Sequence, residues 1–562
     1  PPNGFLAEPA GKSGCLFPPG LLQCRKMEAV RTDEMEVYML RRFCLSVFLL
    51  CLVLCTTSAA AFSDTGNSWA ADVVEKAAAY GLMEGSPDGT FGVGRDITRG
   101  EFVTILCRFF QWETVRPETP SYADCLPEEW YYPYVETARA HNVMEPDGAF
   151  RPTEPISREE LAVMLVRALG YDTLAQSLGE LSLPFDDVTG HIGHIAIAYD
   201  TGMITGVAEP DGALYFYPSG SAKREEAAAM LVRVYERYTS KTDWLHAFYA
   251  FSSYNQINLT PYMDGVSVGW ARLEYDPQTG PRMNSTAENG NDWVKPADPT
   301  PATQYFQEHS IPCQLNVYAT AEDKLTLPDG STTSTIAALL SPEHRSTSVT
   351  LLVEAAREYA GLTLDFEGLR RDLKESFAQF VQELREALPP EQRLYVCVQP
   401  DTWYDGFDYR SLGESCDKVI LMAHDYQWPA SEVPKYTGTA NTDSPVTPIV
   451  WVYRALRSIT DPETGVADRS KLALAIAFNT AGFHVDENGV LLDGTMYHPS
   501  RDVLTKRLQQ ESTVVTYSER YRNPVASYTT EAGEHYRVWY EDSQSGQDTL
   551  PLARSFGLHG RL

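Results

Sequence analysis

The sequence is poor in basic residues, in patterned cysteines and in long apolar runs. It carries 46 Lys and Arg against 76 Asp and Glu, which gives a formal net charge of −30. This imbalance argues against a nucleic-acid partner, because binding to a phosphate backbone needs an excess of basic side chains. An acidic surface fits a soluble extracellular protein, but the charge alone identifies no function.

Cysteine and histidine are scattered rather than grouped. No Cys-x-x-Cys pair and no His cluster occurs in the sequence, so it predicts neither a disulfide framework nor a zinc site. We expect free buried thiols, no metal and no organic cofactor. The cysteines beyond residue 61 are Cys107, Cys125, Cys313, Cys397 and Cys416.

The longest apolar run, Phe43–Leu54, is too short to span a bilayer comfortably as a helix. The basic pair Arg41-Arg42 precedes this run and small residues up to Ala61 follow it, which completes the order of a secretory signal peptide. We therefore predict cleavage after Ala61 and a secreted protein with no membrane span. A retained anchor, or a lipid anchor at Cys55, is the alternative.

The next part of the chain repeats a compound motif about every 60 residues. In the first copy the turn signal Pro87-Asp88-Gly89 precedes the helix start Thr98-Arg99-Gly100-Glu101, and the same pair of signals recurs twice. A hydroxyl residue followed three residues later by an acid predicts a capping box. Each copy is therefore predicted to be a helix–loop–helix unit.

This motif resembles the S-layer homology (SLH) domain, in three copies over residues 62–238. The resemblance implies a mostly α three-repeat bundle that binds an anionic secondary cell-wall polymer. Guanidinium suits such a ligand because it offers bidentate donors, although these arginines could instead pair with the adjacent acids. The third copy departs from the pattern because it lacks the Trp and has Lys223 in place of Thr or Ser. The implied polymer contacts are Arg99, Arg158, Arg224, Asp64, Asp124, Trp69 and Trp130.

From about residue 243 short β-rich runs alternate with helical segments. The run 418–422 is almost entirely apolar, as expected for a strand that is buried on both faces. Seven or eight such units favour an α/β fold of the (β/α)₈ TIM-type, although an open doubly wound sheet would give the same periodicity. The predicted strands are Trp244–Phe251, Met263–Trp270, Pro312–Ala319, Gly361–Glu367, Arg393–Gln399, Lys418–Asp425 and Leu472–Phe478.

Two predicted strands end in acidic residues, at the edge where TIM-type barrels carry their chemistry. Asp365 and Glu367 are two apart, so both project from one face of their strand, towards the barrel axis. Carboxylates so close disfavour simultaneous ionisation, which raises the pKa of one of them. Asp425 ends another strand. Taken alone, an Asp-x-Glu pair could simply end a strand and cap the following helix.

The segment 360–367 resembles the fourth-strand motif Asp-Gly-x-Asp-x-Asp-x-Glu of glycoside hydrolase family 18, the chitinase-like family. Ala360 and Thr363 stand at its two earlier acidic positions. Residues 422–425 resemble the sixth-strand motif Met-x-Tyr-Asp, with His424 in place of Tyr, and residues 538–542 and 553–558 resemble the final segments of its spore-germination and cortex-lytic branch.

The family resemblance implies a retaining, substrate-assisted hydrolysis of 2-acetamido glycans without a cofactor. Glu367 is implied as the acid that protonates the departing oxygen. Asp365 orients the acetamido group and stabilises the cyclic intermediate. Asp425, with Tyr426 or His424, holds the acetamido group or the water.

Polar and aromatic residues at or beyond strand ends are candidates for sugar binding, because sugars stack on aromatic faces. Each of the aromatic ones could equally be an ordinary core residue. The candidates are Tyr249, Trp270, Tyr318, Gln399, Trp403, Tyr404 and Trp428.

The eighth strand of the predicted barrel begins where the sequence ends, at residues 557–562. A truncated eighth strand predicts an open edge between the first and seventh strands. The predicted organisation is an upstream segment 1–38 that is not the native start, a signal peptide 39–61, SLH repeats 62–114, 115–175 and 176–240, and a barrel 243–562 with an insertion around 479–540.

The leading hypothesis is a secreted enzyme of the bacterial cell wall that cleaves β-1,4 bonds next to N-acetylglucosamine in peptidoglycan or chitin-type glycans. Its expected partners are the wall polymer and the glycan. Two alternatives remain: a non-catalytic glycan-binding barrel, suggested by Ala360, Thr363, His424 and the short end, and a structural surface-layer protein in which the barrel is a spacer.

Overall fold

The computed structural model describes residues 62–562 except 67, 146, 147, 211, 242, 243, 559 and 562. The predicted upstream segment 1–38 and signal peptide 39–61 lie outside the described residues. Within the described residues, every helix is either too short or too polar to cross a bilayer.

The N-terminal region of the described chain is built from helices joined by loops, with one two-stranded sheet, Val207–Ala208 with Leu214–Tyr215. The predicted capping boxes at Thr98 and Ser157 are confirmed, since each side chain accepts a bond from the backbone N–H of the acid three residues later. The helices are Ala71–Ala79, Arg99–Phe109, Tyr132–Ala140, Arg158–Ala168, Asp172–Gln176, Ile192–Asp200 and Arg224–Tyr238.

Three backbone hydrogen bonds close these repeats into a ring. Ile97 N donates to Ala222 O at 3.1 Å, Ala222 N to Ile156 O at 2.9 Å, and Ile156 N to Ile97 O at 3.0 Å. Each residue immediately precedes the Thr, Ser or Lys at a helix start, so the three equivalent positions are joined to one another. Every repeat therefore contacts both of the others.

The C-terminal region contains eight parallel strands that hydrogen-bond in a closed ring of the TIM type. We call them the first to eighth barrel strands in chain order. An antiparallel strand, Gly280–Asn284, extends the second one as a hairpin. The barrel strands are Trp244–Tyr249, Gly265–Asp276, Cys313–Thr320, Gly361–Glu367, Arg393–Val398, Lys418–Leu421, Leu472–Leu474 and Gly560–Arg561.

The predicted open edge between the first and seventh strands is wrong. Gly560 pairs with Ala473 on one side and with Trp244 on the other, and Arg561 pairs with Leu474 and Leu245. Two residues are enough to bridge the gap because the seventh strand is itself only three residues long.

Amphipathic helices cover the outside of the barrel. In Lys374–Ala387 the buried residues Phe377, Phe380, Val381 and Leu384 lie at helical spacing on one face. The α-helices of this region are Thr300–Glu308, Thr335–Leu339, Arg345–Ala355, Lys374–Ala387, Tyr409–Ser415, Ile449–Ile459, Arg501–Leu508 and Ser543–Ser555. The 3₁₀ helices are Phe251–Tyr262, Glu288–Gly290, Ala356–Glu358, Arg371–Leu373, Val433–Tyr436 and Arg469–Lys471.

Between the seventh and eighth barrel strands the chain forms an antiparallel sheet of five strands. Its side chains reach the barrel mouth, where Met496 and His498 meet residues from the barrel loops. The strands are Thr480–Val485, Leu491–Tyr497, Val514–Ser518, Asn523–Thr529 and His535–Tyr540. A separate short hairpin pairs Leu325–Thr326 with Thr332–Thr333.

The helical ring and the barrel share a buried polar contact. Asp200 accepts a hydrogen bond from the Tyr453 hydroxyl and pairs with Arg457 Nε at 3.0 Å, and its side chain is only 8% exposed. Arg237 Nη1 donates to Ser555 O at 2.6 Å in the same interface. Because a buried carboxylate needs its partners in place, this network holds the two regions in one orientation.

Candidate active site and wall-binding ring

The fourth barrel strand directs its acids into the barrel because its apolar residues face the helices. Phe366 packs against Phe377 and Phe380, with ring centroids 5.9 and 5.8 Å away. Successive side chains alternate, so Asp365 and Glu367 point the other way, as predicted. Gly361 is required at the base of this strand, since a Cβ there would lie 2.0 Å from Arg393 O.

Asp365 is the most buried acid of the barrel mouth, at 6% exposure. Burial raises its pKa to about 6, against lowering contributions from the Asn316 side chain and the charge of His424. Its Oδ1 has no hydrogen-bond partner among the described residues. A buried oxygen of this kind is available to a ligand.

Glu367 lies one step closer to solvent and is half-buried. Burial is the main cause that raises its pKa to about 8, and the negative charges of Asp365, Glu322 and Asp425 add to it. The sequence argument assigned the shift to the paired acids, but burial is the larger cause. At neutral pH the carboxyl therefore carries a proton, as a general acid needs.

Asp425 is ionised at neutral pH, in contrast to Glu367. Burial acts to raise its pKa, but hydrogen bonds with His424, Asn479 and Gln427 and the charge of His424 outweigh it and hold the pKa below its usual value. His424 Nδ1 lies 2.7 Å from Asp425 Oδ2, and the Asn479 amide donates to Oδ1. Asp425 has φ of 62°, a left-handed conformation that is uncommon for a residue other than glycine and frequent at functional sites.

Glu367 and Asp425 open into a cleft of about 660 Å³, within the range of ligand sites. The predicted residues Gln399, Trp403, Tyr404, Tyr426 and Trp428 line it. Gln399 Oε1 also accepts a bond from Gly368 N at 2.7 Å, which fixes the chain just after Glu367. The remaining lining residues are Glu367, Arg370, Pro400, Met422, His424, Asp425, Gln427, Pro429, Ala430, Met496 and His498.

Two predicted sugar-binding residues lie in the core instead of the cleft. Tyr249 is 6% exposed and packs edge-on against Phe306, and Trp270 is 2% exposed. The alternation of each strand explains the error, because His246 and Ser267 face inward on the same strands and so turn Tyr249 and Trp270 outward.

Tyr318, in contrast, faces the barrel mouth beside Asp365 in the neighbouring strand. Its ring is stacked on Trp293, with centroids 5.1 Å apart and planes 8° from parallel. Trp293 fits there because it lies over Gly269, where a Cβ would come within 2.6 Å of the indole. Tyr318 is therefore held in place, with part of its surface covered.

A column of buried polar side chains lies beneath the acids. His246 Nε2 is 2.7 Å from Ser267 Oγ, which is 2.7 Å from Thr363 Oγ1. Burial lowers the pKa of His246 to about 3, so the imidazole is neutral. Thr363 thus joins a hydrogen-bonded chain across the barrel interior.

In the helical ring, each predicted wall-binding arginine reaches across to the next repeat. The Nε atoms of Arg99, Arg158 and Arg224 donate to the carbonyls of Phe150, Phe216 and Phe91, and each guanidinium stacks over that same phenyl ring. The cycle runs from the first repeat to the second, the second to the third, and the third to the first.

The capping acids complete the same cycle. Arg99 pairs with Glu160, Arg158 with Glu226 at 2.6 Å, and Arg224 with Glu101 at 3.9 Å. The arginine side chains are only 9%, 18% and 12% exposed. These arginines therefore pair with acids, as the alternative interpretation of the sequence proposed, but each acid belongs to the neighbouring repeat.

The predicted acids of the ring also have structural partners. Asp64 accepts backbone bonds from Phe91, Gly92 and Val93, and Asp124 accepts them from Phe150 and Arg151. These bonds give both acids a structural role in the loop of their own repeat, and their contact with a wall polymer stays a prediction.

The two predicted tryptophans of the ring are open to solvent, at 66% exposure for Trp69 and 55% for Trp130. Trp69 borders a cavity of about 180 Å³ whose walls include Arg158, Glu226 and Arg233. Residues of all three repeats line this cavity.

Comparison with known protein families assigns both regions. The glycosyl hydrolases family 18 matches residues 330–561, and the S-layer homology domain matches residues 61–103 and 126–162. The chain carries SLH repeats and a family 18 glycoside hydrolase domain. The predicted recognition of both families is confirmed.

Individual relatives match one region or the other. An amylopullulanase of Thermoanaerobacterium thermosulfurigenes is 30% identical over 185 residues, 31% of this chain and 10% of the relative. The cortical fragment-lytic enzyme of Bacillus subtilis is 26% identical over 228 residues, 37% of this chain and 47% of the relative. The chain thus spans less than half the length of these curated relatives.

Solved structures similar to the chain include the spore cortex-lytic enzyme SleL of Bacillus cereus, at 15% identity and a TM-score of 0.44, covering 62% of this chain and 72% of that one. A chitinase of Chromobacterium violaceum has 20% identity and a TM-score of 0.44, covering 57% of this chain and 92% of that one.

Several residues of the family 18 site were missed by the sequence analysis. Asn316, Glu322, Arg370 and Asn479 come from loops or strands far apart in sequence. Asn316 gave one usable signal, since it is a polar residue at an inward position of a largely buried strand. Glu322, Arg370 and Asn479 lie in loops, where the sequence gives no comparable pattern.

Proposed function

We propose that the protein is a secreted, wall-anchored glycoside hydrolase that cleaves β-1,4 bonds next to N-acetylglucosamine in peptidoglycan or chitin-type glycans. The observation that carries this proposal is the division of protonation states within one cleft. Glu367 keeps a proton at neutral pH and Asp425 does not, which gives one group to donate and one to orient.

Catalysis follows the retaining, substrate-assisted scheme. Glu367 donates its proton to the glycosidic oxygen as the bond from that oxygen to the anomeric carbon breaks. The acetamido carbonyl oxygen of the substrate attacks the same carbon and forms a cyclic oxazolinium ion. Water then opens this ring and passes its proton to the Glu367 carboxylate, which restores the starting state.

Asp365 and Asp425 hold the reacting acetamido group. The buried Asp365, with Oδ1 unpartnered among the described residues, accepts the acetamido N–H and stabilises the positive charge of the ring. Asp425, fixed by His424 and Asn479, orients the group from the other side, with Tyr426 at the cleft wall. Trp403, Trp428, Gln399 and Tyr318 bind the flanking sugars.

The test is release of reducing ends from purified peptidoglycan and from N-acetylated chito-oligomers. We expect Glu367→Gln to lower kcat by about 10²–10⁴-fold while glycan binding persists. The exposed Glu375→Gln in the following helix is the matched control. Glycan binding without turnover in the wild type supports a carbohydrate-binding barrel instead, and the absence of both supports a spacer in a surface-layer protein.

We also propose that the SLH repeats form a three-repeat unit that binds an anionic wall polymer, with Trp69 and Trp130 as exposed contacts and the cavity at Arg158 as one binding position. Co-sedimentation of the full chain with sacculi tests it. Trp69→Ala should release the protein, and sacculi stripped of secondary polymer should not retain the wild type. Unchanged retention in both cases contradicts the anchor.

A further inference from the structure

A single arginine stands in the wall of the acidic cleft. Arg370, three residues beyond Glu367, is exposed and is the only Lys or Arg among the described residues that line this cleft. The ionised Asp425 and the neighbouring Glu322 make the surroundings negative. A neutral glycan needs no cation there, whereas an anionic one would be repelled without it.

The guanidinium of Arg370 is left without an acidic partner. It lies over the Tyr404 ring at 4.8 Å, and no salt bridge to it occurs within the described part of the chain. The next residue provides the contrast, since Arg371 Nε pairs with Asp405 at 2.9 Å. A guanidinium that stacks on a ring keeps its in-plane N–H donors free for a carboxylate.

The support of Arg370 is fixed before any ligand binds. The Tyr404 hydroxyl donates to Glu322 Oε1 at 2.9 Å, which commits this carboxylate oxygen to the tyrosine. Gly406 N bonds to Leu369 O at 3.2 Å, and a Cβ on Gly406 would come within 2.5 Å of Arg370 O. The backbone that carries Arg370 is therefore closely packed, and the cation is preorganised.

We infer that Arg370 binds a carboxylate carried by the sugar next to the cleavage point, so that the enzyme prefers carboxylated muramoyl glycans to neutral chitin-type ones. This inference rests on the proposed function. Tyr404 sets the position, because its ring supports the Arg370 guanidinium at 4.8 Å in the cleft wall. The carboxylate belongs either to a free lactyl group or to a stem peptide.

The experiment uses the full chain and three substrates: peptidoglycan with its stem peptides, glycan strands from which an amidase has removed them, and N-acetylated chito-oligomers. We expect Arg370→Gln to lower the ratio of kcat/KM on carboxylated substrates to that on chito-oligomers by about tenfold, mainly through KM. Arg370→Lys should recover part of it. Arg371→Gln, the matched control, should leave the ratio unchanged.

The outcomes separate the two carboxylates and the two proposals. A larger effect on stripped strands assigns the lactyl group, and a larger effect on intact peptidoglycan assigns the stem peptide. An equal loss on all substrates, or an unchanged ratio with Arg370→Gln, overturns the inference and leaves the proposed hydrolase standing. A wild type that cleaves none of the substrates overturns both.

Discussion

The helical ring and the barrel cleft both bury charged side chains, but they treat them in opposite ways. In the ring, Arg99 donates through Nε to the carbonyl of Phe150 and forms an ion pair with Glu160. At the barrel mouth, Asp365 keeps an oxygen without a partner among the described residues, and Glu367 has several acids near it. In the ring the buried charges join one repeat to the next, whereas at the barrel mouth the carboxyl groups remain available to a ligand.

The strongest test of this difference is to replace Asp365, the buried acid with an unpartnered oxygen. Asp365→Asn keeps the shape but loses the charge that stabilises the cyclic intermediate, so we expect kcat to fall by about 10²–10³-fold. Reducing-end release measures it. Asp405→Asn, an acid paired with Arg371 outside the cleft, is the control, and an equal loss in both variants would contradict the assignment.

Removing a paired charge should affect stability rather than turnover. Arg99→Ala strands Glu160 and the Phe150 carbonyl, and we expect a loss of about 3 kcal/mol in the free energy of unfolding. Calorimetry of the full chain can follow the transition of the ring. Arg95→Ala is matched to it, since Arg95 pairs with Glu101 but is 47% exposed, and should cost under about 1 kcal/mol. Similar losses would argue against a structural cycle.

Ionising the buried Glu367 carboxyl costs free energy, so replacing Glu367 with a neutral residue should stabilise the protein at high pH. Its folded pKa of about 8 exceeds the ordinary value of 4.5, so its stabilising contribution is full below 4.5 and is lost as pH rises through 8. Glu367→Gln should therefore exceed the wild type by about 1 kcal/mol or more near pH 9 and lose this advantage near pH 4. Thermal melts across this range check it, and a constant difference would refute it.

The smallest expected effect is a shift of the alkaline limb of the profile of kcat/KM against pH. Asp365 must be ionised and Glu367 protonated, so kcat/KM should rise through about pH 6 and fall through about pH 8. Glu322→Gln removes one negative charge near Glu367 and should move the upper limb to lower pH by about 0.5 unit, because solvent screens an exposed group. Glu375→Gln should move neither limb, and an unmoved limb in Glu322→Gln excludes this charge coupling.

The local sequence pattern was sufficient to predict the strand that carries the two acids. The fourth strand runs over Gly361–Glu367 as predicted, because alternation and burial are written into adjacent residues. The same alternation would have predicted Tyr249 and Trp270 in the core if His246 and Ser267 had been recognised as the inward-facing residues of their strands. That choice needed the contact between two strands, which a single strand does not reveal.

Pairing between distant elements lay beyond the sequence. Glu160 caps its own helix and also binds Arg99 of the previous repeat, and only the second role depends on the ring. Arg370 and Tyr404 likewise come from different loops and meet at the cleft wall. Such contacts arise from the tertiary fold, so composition and periodicity predict the residues but not their partners.

The cycle through Ile97, Ala222 and Ile156 has a consequence for assembly. Linear repeat arrays have two ends, which need specialised caps and can fray one unit at a time. A closed circle of three has no terminal member, so deletion of any one copy exposes two interfaces at once and a fourth copy has no position to occupy. The number three is thus a geometric property of the circle, and its members should melt together in a single step.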